Sequence, residues 1–300
     1  MFWRLQNPVG AATLSASCVV TLNSMKTTSS GLSNVRNSCV ISVMQVLLFL
    51  AGCAAVLIIV SVLPLPRSGA MSMLLSALIA LSATFALAHV FTRWTGVSPH
   101  TAGMVFQRTS IWRLLCRFVT GALILLTQWA LMWTSGHISW EFSHIIDWPT
   151  LLASILAFLL LAVREEVAFH GFALRRLYNC FGLWPAQIMI AAIFALEHIA
   201  GGYSLLNAVA GAALGSLLFG MAALATRGLA VPVGIHSAWN IGDCLRGGKT
   251  IPGILQPVTE AGYEAFVRTS GLLSYMLTMA LATTGFWLWH RHHLTQEASA

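Results

Sequence analysis

Residues 164–170 read "REEVAFH", which sets Arg164, Glu165, Glu166 and His170 into an apolar run of a chain that is only 8% charged. Two further clusters of the same kind follow. Glu197 and His198 close the stretch "IFALEH", and His236 and Asn240 stand in "GIHSAWN". At helical spacing Glu166 and His170 share one face, as do His236 and Asn240, and Asp243 extends the second stripe. A carboxylate held away from bulk water can act as general base toward a water molecule. An imidazole can hold that water or share its proton, and a histidine–asparagine pair can donate hydrogen bonds to the oxyanion of a tetrahedral intermediate. The candidate site residues are therefore Glu165, Glu166, His170, Glu197, His198, His236 and Asn240, with Arg164 and Asp243 beside them. Hydrolysis driven by a glutamate, with no cofactor, is the preferred chemistry. A zinc ion on Glu165, His198 and His236, with an open position for water, is a legal alternative, although the sequence contains no HExxH. Groups of these types also build the proton relays of transporters.

The elements that must carry these groups are read from hydropathy. The chain of 300 residues is 57% hydrophobic, with a mean hydropathy of +0.79. That much apolar surface needs lipid as its solvent. Eight apolar runs long enough to span a membrane lie near residues 40–63, 70–92, 114–134, 149–177, 183–200, 204–226, 228–244 and 267–289. The expected fold is an all-α, polytopic helical bundle of about eight transmembrane helices. Residues 1–38 are polar, without the apolar core of a signal peptide, and read as a disordered cytosolic tail. Residues 39–290 form one transmembrane domain, and 291–300 a second cytosolic tail.

Basic residues resist translocation and so mark the cytoplasmic side. Placing the N-terminus inside puts Arg4, Lys26, Arg36, Arg93, Arg108, Arg113, Arg117, Arg175, Arg176, Arg227 and Arg291 on that side. Only Arg67, Arg246, Lys249 and Arg268 fall outside, and Arg164 stays within the membrane. Both termini are then cytoplasmic. With a rise of about 1.5 Å per residue, Glu165, His198 and His236 all fall at depths compatible with one chamber near the bilayer centre. An ionisable group at that depth costs several kcal/mol unless it is paired or hydrated, so adjacent glutamates there point to function.

Other features have plainer readings. The net charge of +7 is that of loops flanking helices, and no basic block with interleaved aromatics suggests nucleic acid. The six cysteines are scattered, none in a CxxC pair, and read as small buried hydrophobes. Arg175 and Arg176 read as inner-face anchors, His290, His292 and His293 as a solvated tail, and Phe194 as core packing. No internal repeat of the kind that builds many transporters is visible.

"EEVAFHG", "FALEH" and "HSAWN", in that order, resemble the three motifs of the CAAX protease and bacteriocin-processing (CPBP) family of intramembrane endopeptidases, of the type II CAAX prenyl protease kind. The family's pattern is EExxxR, FxxxH and HxxxN. The resemblance covers about residues 149–244. It implies peptide-bond hydrolysis in a cavity open to the cytoplasm or inner leaflet. By position, Glu165 corresponds to the catalytic glutamate, Glu166 to its supporting neighbour, His198 to the second-motif histidine, and His236 and Asn240 to the third-motif pair. The motif's arginine is His170 here, and Arg164 is a candidate to take over part of its pairing. The implied partners are membrane lipid and a peptide or C-terminal segment of a membrane-associated protein. The implied location is a bacterial cytoplasmic membrane, or an endomembrane in a eukaryote. A non-catalytic membrane immunity or binding protein of the same fold stays open as a rival.

Overall fold

In the computed structural model the described residues are 29–65, 69–100, 102–104, 110–248 and 253–299. Most of the expected N-terminal tail lies outside them. Helix α1 (Ser29–Val62) begins within the expected tail, ahead of the apolar run at Ser38–Val62. It is followed by α2 (Ala70–Thr95) and α3 (Ser110–Trp133). The chain then forms strand β1 (Ile138–Phe142), helix α4 (Trp148–Glu165), a π-helical stretch Glu166–Ala173 and the short helix α5 (Leu174–Phe181). Next come α6 (Leu183–Ala200), a second π-helical stretch Asn207–Ala213 that runs into α7 (Leu214–Ala225), and α8 (Ala230–Leu245). Strand β2 (Leu255–Thr259) and α9 (Glu264–Ser299) complete the order. The chain is an all-α membrane bundle, and the segment 291–300 continues α9 as far as Ser299 rather than leaving it as a tail.

Among the described residues, six helical stretches are long and apolar enough to cross a membrane: Ser38–Val62, Met71–Thr95, Leu114–Trp133, Leu183–Ala200, Asn207–Ala225 and Glu264–Glu297. The fourth and seventh expected spans are the two that carry Glu165, Glu166 and His236, and neither is among them. Their polarity is tolerable because neighbouring helices shield them. The stretch Val231–Ala238 of α8 is buried throughout, and its 16 residues cover only about 24 Å.

Close approach is what shields α8. A Cβ at Gly121 of α3 would lie 2.6 Å from the Ile235 Cα, and one at Gly234 of α8 would lie 2.7 Å from the Arg117 carbonyl carbon. Glycine on both sides lets the two backbones touch, as small residues do at membrane helix interfaces. Gly121→Leu should therefore push α8 away and lower the unfolding temperature in detergent. An unchanged melting curve would contradict this packing.

The fourth span was expected as one helix over 149–177, and the structure breaks it. Asp147 starts α4 by accepting a hydrogen bond from the Thr150 N–H at 3.2 Å, with Pro149 in the first turn. That hydrogen bond holds the Asp147 carboxyl below its ordinary value, so the cap is intact at neutral pH and weakens only as pH falls through the lowered value. After Glu165 the winding loosens, and Gly171 leaves helical geometry altogether at φ −79°, ψ −108°. A kink releases carbonyls, and Arg175 takes one of them: its Nη1 donates to His170 O at 2.8 Å, while its Nη2 reaches Ala223 O in the last turn of α7 at 3.3 Å. Arg175 is thus a buried brace for the kink and not a solvated anchor.

The two ends of the bundle differ. At one, Arg176 bonds Gln45 of α1 at 2.8 Å, Tyr178 meets His290 at 3.5 Å, and Arg227 pairs with Glu297. His290 is therefore packed inside the bundle rather than set in a tail. At the other end β1 and β2 pair antiparallel, Ile138 opposite Thr259 and Phe142 opposite Leu255. This small sheet was not expected from the sequence. It ties the loop after α3 to the loop before α9.

Candidate active site

Arg164, Glu165 and Glu166 follow one another, and about 100° of helix rotation separates each from the next. They accordingly serve three different surroundings. Arg164 turns toward α1 and α6, where Nη1 and Nη2 donate to the Glu197 carboxylate at 2.5 and 3.5 Å, and Nη2 also to Cys53 O at 3.4 Å. It is 1% exposed. The expected sharing of Glu166 by Arg164 does not occur, because Arg164 already has its carboxylate. Glu197, which the motifs do not require, is that counter-ion. Removing it should strand a buried guanidinium at a cost of roughly 3–5 kcal/mol. A Glu197→Ala variant is expected to melt well below the unmodified chain, and equal melting would refute the pairing.

Glu166 points the other way and is fully buried. Its Oε2 accepts from His170 Nδ1 and its Oε1 from His236 Nδ1, both at 2.8 Å. One carboxylate thus fixes two imidazoles with their protons on Nδ1. The Nε2 atom of His170 then accepts from the Ser216 hydroxyl at 3.1 Å. That of His236 faces Glu165, 3.6 Å from Oε2. Phe219 stacks on the His236 ring at 4.3 Å and 11°, which fixes its plane.

His170, which the resemblance sets at the motif's arginine position, occupies a closed site. Ser216 caps one nitrogen, and a Cβ at Gly220 would lie 3.1 Å from the imidazole Cδ2. Arginine there would overpack, so His170→Arg is expected to lose stability. Ser216→Ala, in contrast, removes one buried hydrogen bond worth about 1 kcal/mol. It should lower the melting temperature slightly and leave the His236 side of Glu166 in place. Ser216 lies in "LGSLLFG", which reads as plain apolar helix, and only its contact with His170 marks it.

Glu165 looks into a cavity of about 560 Å³ enclosed by α3, α4, α6, α7, α8 and α9. His198, His236, Asn240 and Asp243 line the same cavity. The four other expected site residues, Arg164, Glu166, His170 and Glu197, do not line it and stand behind it. His198 donates from Nδ1 to Phe194 O at 2.9 Å, which leaves Nε2 as the ring's acceptor. Its ring packs against Phe194 and, edge to face, against Tyr203. Phe194 is core packing, as expected, and also supplies that carbonyl. Asp243 is engaged by Arg246 at 2.7 and 2.9 Å, so it serves as a counter-ion at the cavity wall.

Among the described residues no three His, Cys, Asp or Glu side chains converge tightly enough to hold a metal as they stand. The donor chemistry nevertheless suits zinc. Glu165 offers a carboxylate, and both His198 and His236 have Nδ1 committed to an acceptor and Nε2 left to ligate, the arrangement that zinc-bound histidines use.

A multi-pass bundle thus gathers titratable groups from α4, α6 and α8 around one interior cavity. Residues 147–242, about a third of the chain, match the family described as type II CAAX prenyl endopeptidase Rce1-like, so this segment is similar to CAAX-type intramembrane endopeptidases. The matched segment starts at the Asp147 cap and holds every expected site residue except Asp243. No curated protein and no solved structure matches the chain.

Proposed function

We propose that the chain hydrolyses a peptide bond of a membrane-associated polypeptide with a water activated by Glu165. The observation that carries this reading is the meeting of Glu165, His198, His236 and Asn240 on one cavity, with Glu166 locking His236 from behind. Water between Glu165 and the His198 Nε2 gives its proton to the Glu165 carboxylate as its oxygen attacks the scissile carbonyl carbon. The resulting oxyanion is held by the Asn240 amide and by the Nε2–H of His236, which enters the step already protonated on both ring nitrogens. The Glu166 carboxylate at Nδ1 balances that imidazolium, as the buried aspartate of a serine-protease triad does. When the intermediate collapses, the C–N bond breaks and Glu165 returns its proton to the leaving amine. Lipid surrounds the bundle, and the partner is a peptide segment rather than nucleic acid.

A second reading is favoured by the two committed Nδ1 atoms. Zinc held by Glu165, His198 and His236 would polarise the water as a Lewis acid. The purified chain, assayed on quenched-fluorescent peptides before and after exhaustive chelation, separates the two. Cleavage that survives with no bound metal supports the glutamate reading. Cleavage lost on chelation and restored by stoichiometric zinc overturns it. If Glu165→Ala keeps full cellular function, the non-catalytic binding role is correct instead.

A further inference from the structure

Gln128 lies on α3, outside the matched segment, and is 3% exposed. It lines the same cavity as Glu165, His198, His236 and Asn240. Its amide has one consistent orientation. The single Ser274 hydroxyl hydrogen goes to Gly271 O at 2.9 Å, so Ser274 can only accept from Gln128, whose Nε2 stands 3.2 Å away. With Nε2 committed, Oε1 is left as an acceptor, and it finds no donor among the described residues. A buried acceptor without a partner is destabilising, so its presence asks what donor reaches it. The adjoining cavity wall of Met132 and Leu272 has no polar side chain to offer.

The packing of α3 on α8 sets where this acceptor stands. Arg117 meets Gly234, Gly121 meets Ile235 and Ala238, and Leu125 meets Gly242, so the two helices run side by side in the same direction. Gly121, Leu125 and Gln128 recur at helical spacing on one face of α3. Gly121 is level with His236, and Gln128 stands about 10 Å further along the same axis. Measured from Asn240, which falls between the levels of Gly121 and Leu125, the advance is about 6 Å. An extended peptide gains about 3.3 Å per residue, so these advances span roughly two or three residues.

We propose that Gln128 Oε1 accepts a backbone N–H of the bound peptide, two or three residues from the bond that is cut, and so fixes the register of the peptide against Glu165. The substrates are then segments that enter extended, and proline at that position is rejected because it has no N–H. Gln128 takes no part in the bond-breaking step and acts on binding alone. The register rests on the proteolytic reading, whereas the contact itself does not.

Backbone methylation tests the contact without requiring turnover. The probes are fluorescein-labelled decapeptides rich in leucine and valine, each with one amide N-methylated and the methyl walked along the chain. Their binding is measured by anisotropy on full-length Glu165→Gln in detergent, and again with Gln128→Met added. Methionine keeps the length of glutamine but has no amide oxygen. One methylated position should weaken binding to Glu165→Gln roughly tenfold more than the others, the effect of one lost buried hydrogen bond. In the presence of Gln128→Met that position should cost no more than its neighbours. Equal profiles in the two backgrounds overturn the inference, as does a failure of every probe to bind. If Gln128→Met does not fold, the scan on Glu165→Gln decides alone, and a flat profile overturns the contact. Cleavage of the unmethylated probes by the unmodified chain is read separately. The sensitive amide is expected two or three residues from the cut, and one elsewhere contradicts the register. Probes that bind with the expected profile and are never cut leave the contact standing and remove the proteolytic reading.

Discussion

Glu166→Ala is expected to destabilise the bundle by roughly 3–5 kcal/mol and to abolish cleavage. The cost follows from burial: the carboxylate has no solvent, and it receives two hydrogen bonds of 2.8 Å from His170 and His236. Taking one member out of a buried polar group leaves its partners without acceptors, which is the costly case. Catalysis suffers for a separate reason. His236 loses the acceptor that fixes its proton on Nδ1 and its ring toward Glu165. Glu166→Gln separates the two effects. Its volume is nearly unchanged, but the amide NH2 cannot accept, so one of the two histidines must move its proton to Nε2 or turn away. The glutamine variant should therefore melt between the alanine variant and the unmodified chain while losing roughly 100-fold or more in kcat, because a neutral amide no longer balances the His236 imidazolium that holds the oxyanion. A Glu166→Gln variant with unimpaired cleavage would remove His236 from the chemistry.

The second large effect is at Glu165. Glu165→Gln should lower cleavage by roughly 100- to 10,000-fold, the contribution of a general base. It should barely change stability, because Glu165 is partly exposed to the cavity and its nearest ionisable contact, His236, is 3.6 Å away. The contrast between neighbours is the informative part. Glu165 and Glu166 are adjacent and chemically alike, yet one should affect rate alone and the other rate and fold together. Melting temperature and kcat measured on both variants decide this. If Glu165→Gln unfolds the protein, its role is structural.

The membrane class, the helices and the three polar clusters were all legible in the sequence, because hydropathy and helical spacing are properties of the chain itself. The direction in which each side chain of "REE" points was less legible. One helix rotation sends Arg164, Glu165 and Glu166 into different surroundings, and the partners they meet on other helices come from α1, α6 and α8. Pairing between helices leaves no periodic trace, which is why Arg164 looked available to Glu166 and Ser216 attracted no notice. The break at Gly171 was hidden for a related reason. The apolar run continues through it, and the His170 carbonyl is satisfied by Arg175, whose basic side chain had a sufficient explanation as an anchor. Strands β1 and β2 stabilise each other across more than a hundred residues of chain, so neither segment alone announces a sheet.

The buried half of the site suits histidine at position 170. Arginine there would bring a fixed charge beside Glu166, whereas histidine joins the same carboxylate to Ser216 and shares it with His236.

The most direct test of peptide-bond hydrolysis by this cavity is a comparison of membrane-fraction peptide termini. Cells producing the unmodified chain are compared with cells producing equal amounts of inserted Glu165→Gln. The account predicts at least one membrane-associated polypeptide that accumulates uncleaved in the variant and loses a terminus present with the unmodified chain. Identical sets of termini in the two membranes would contradict it.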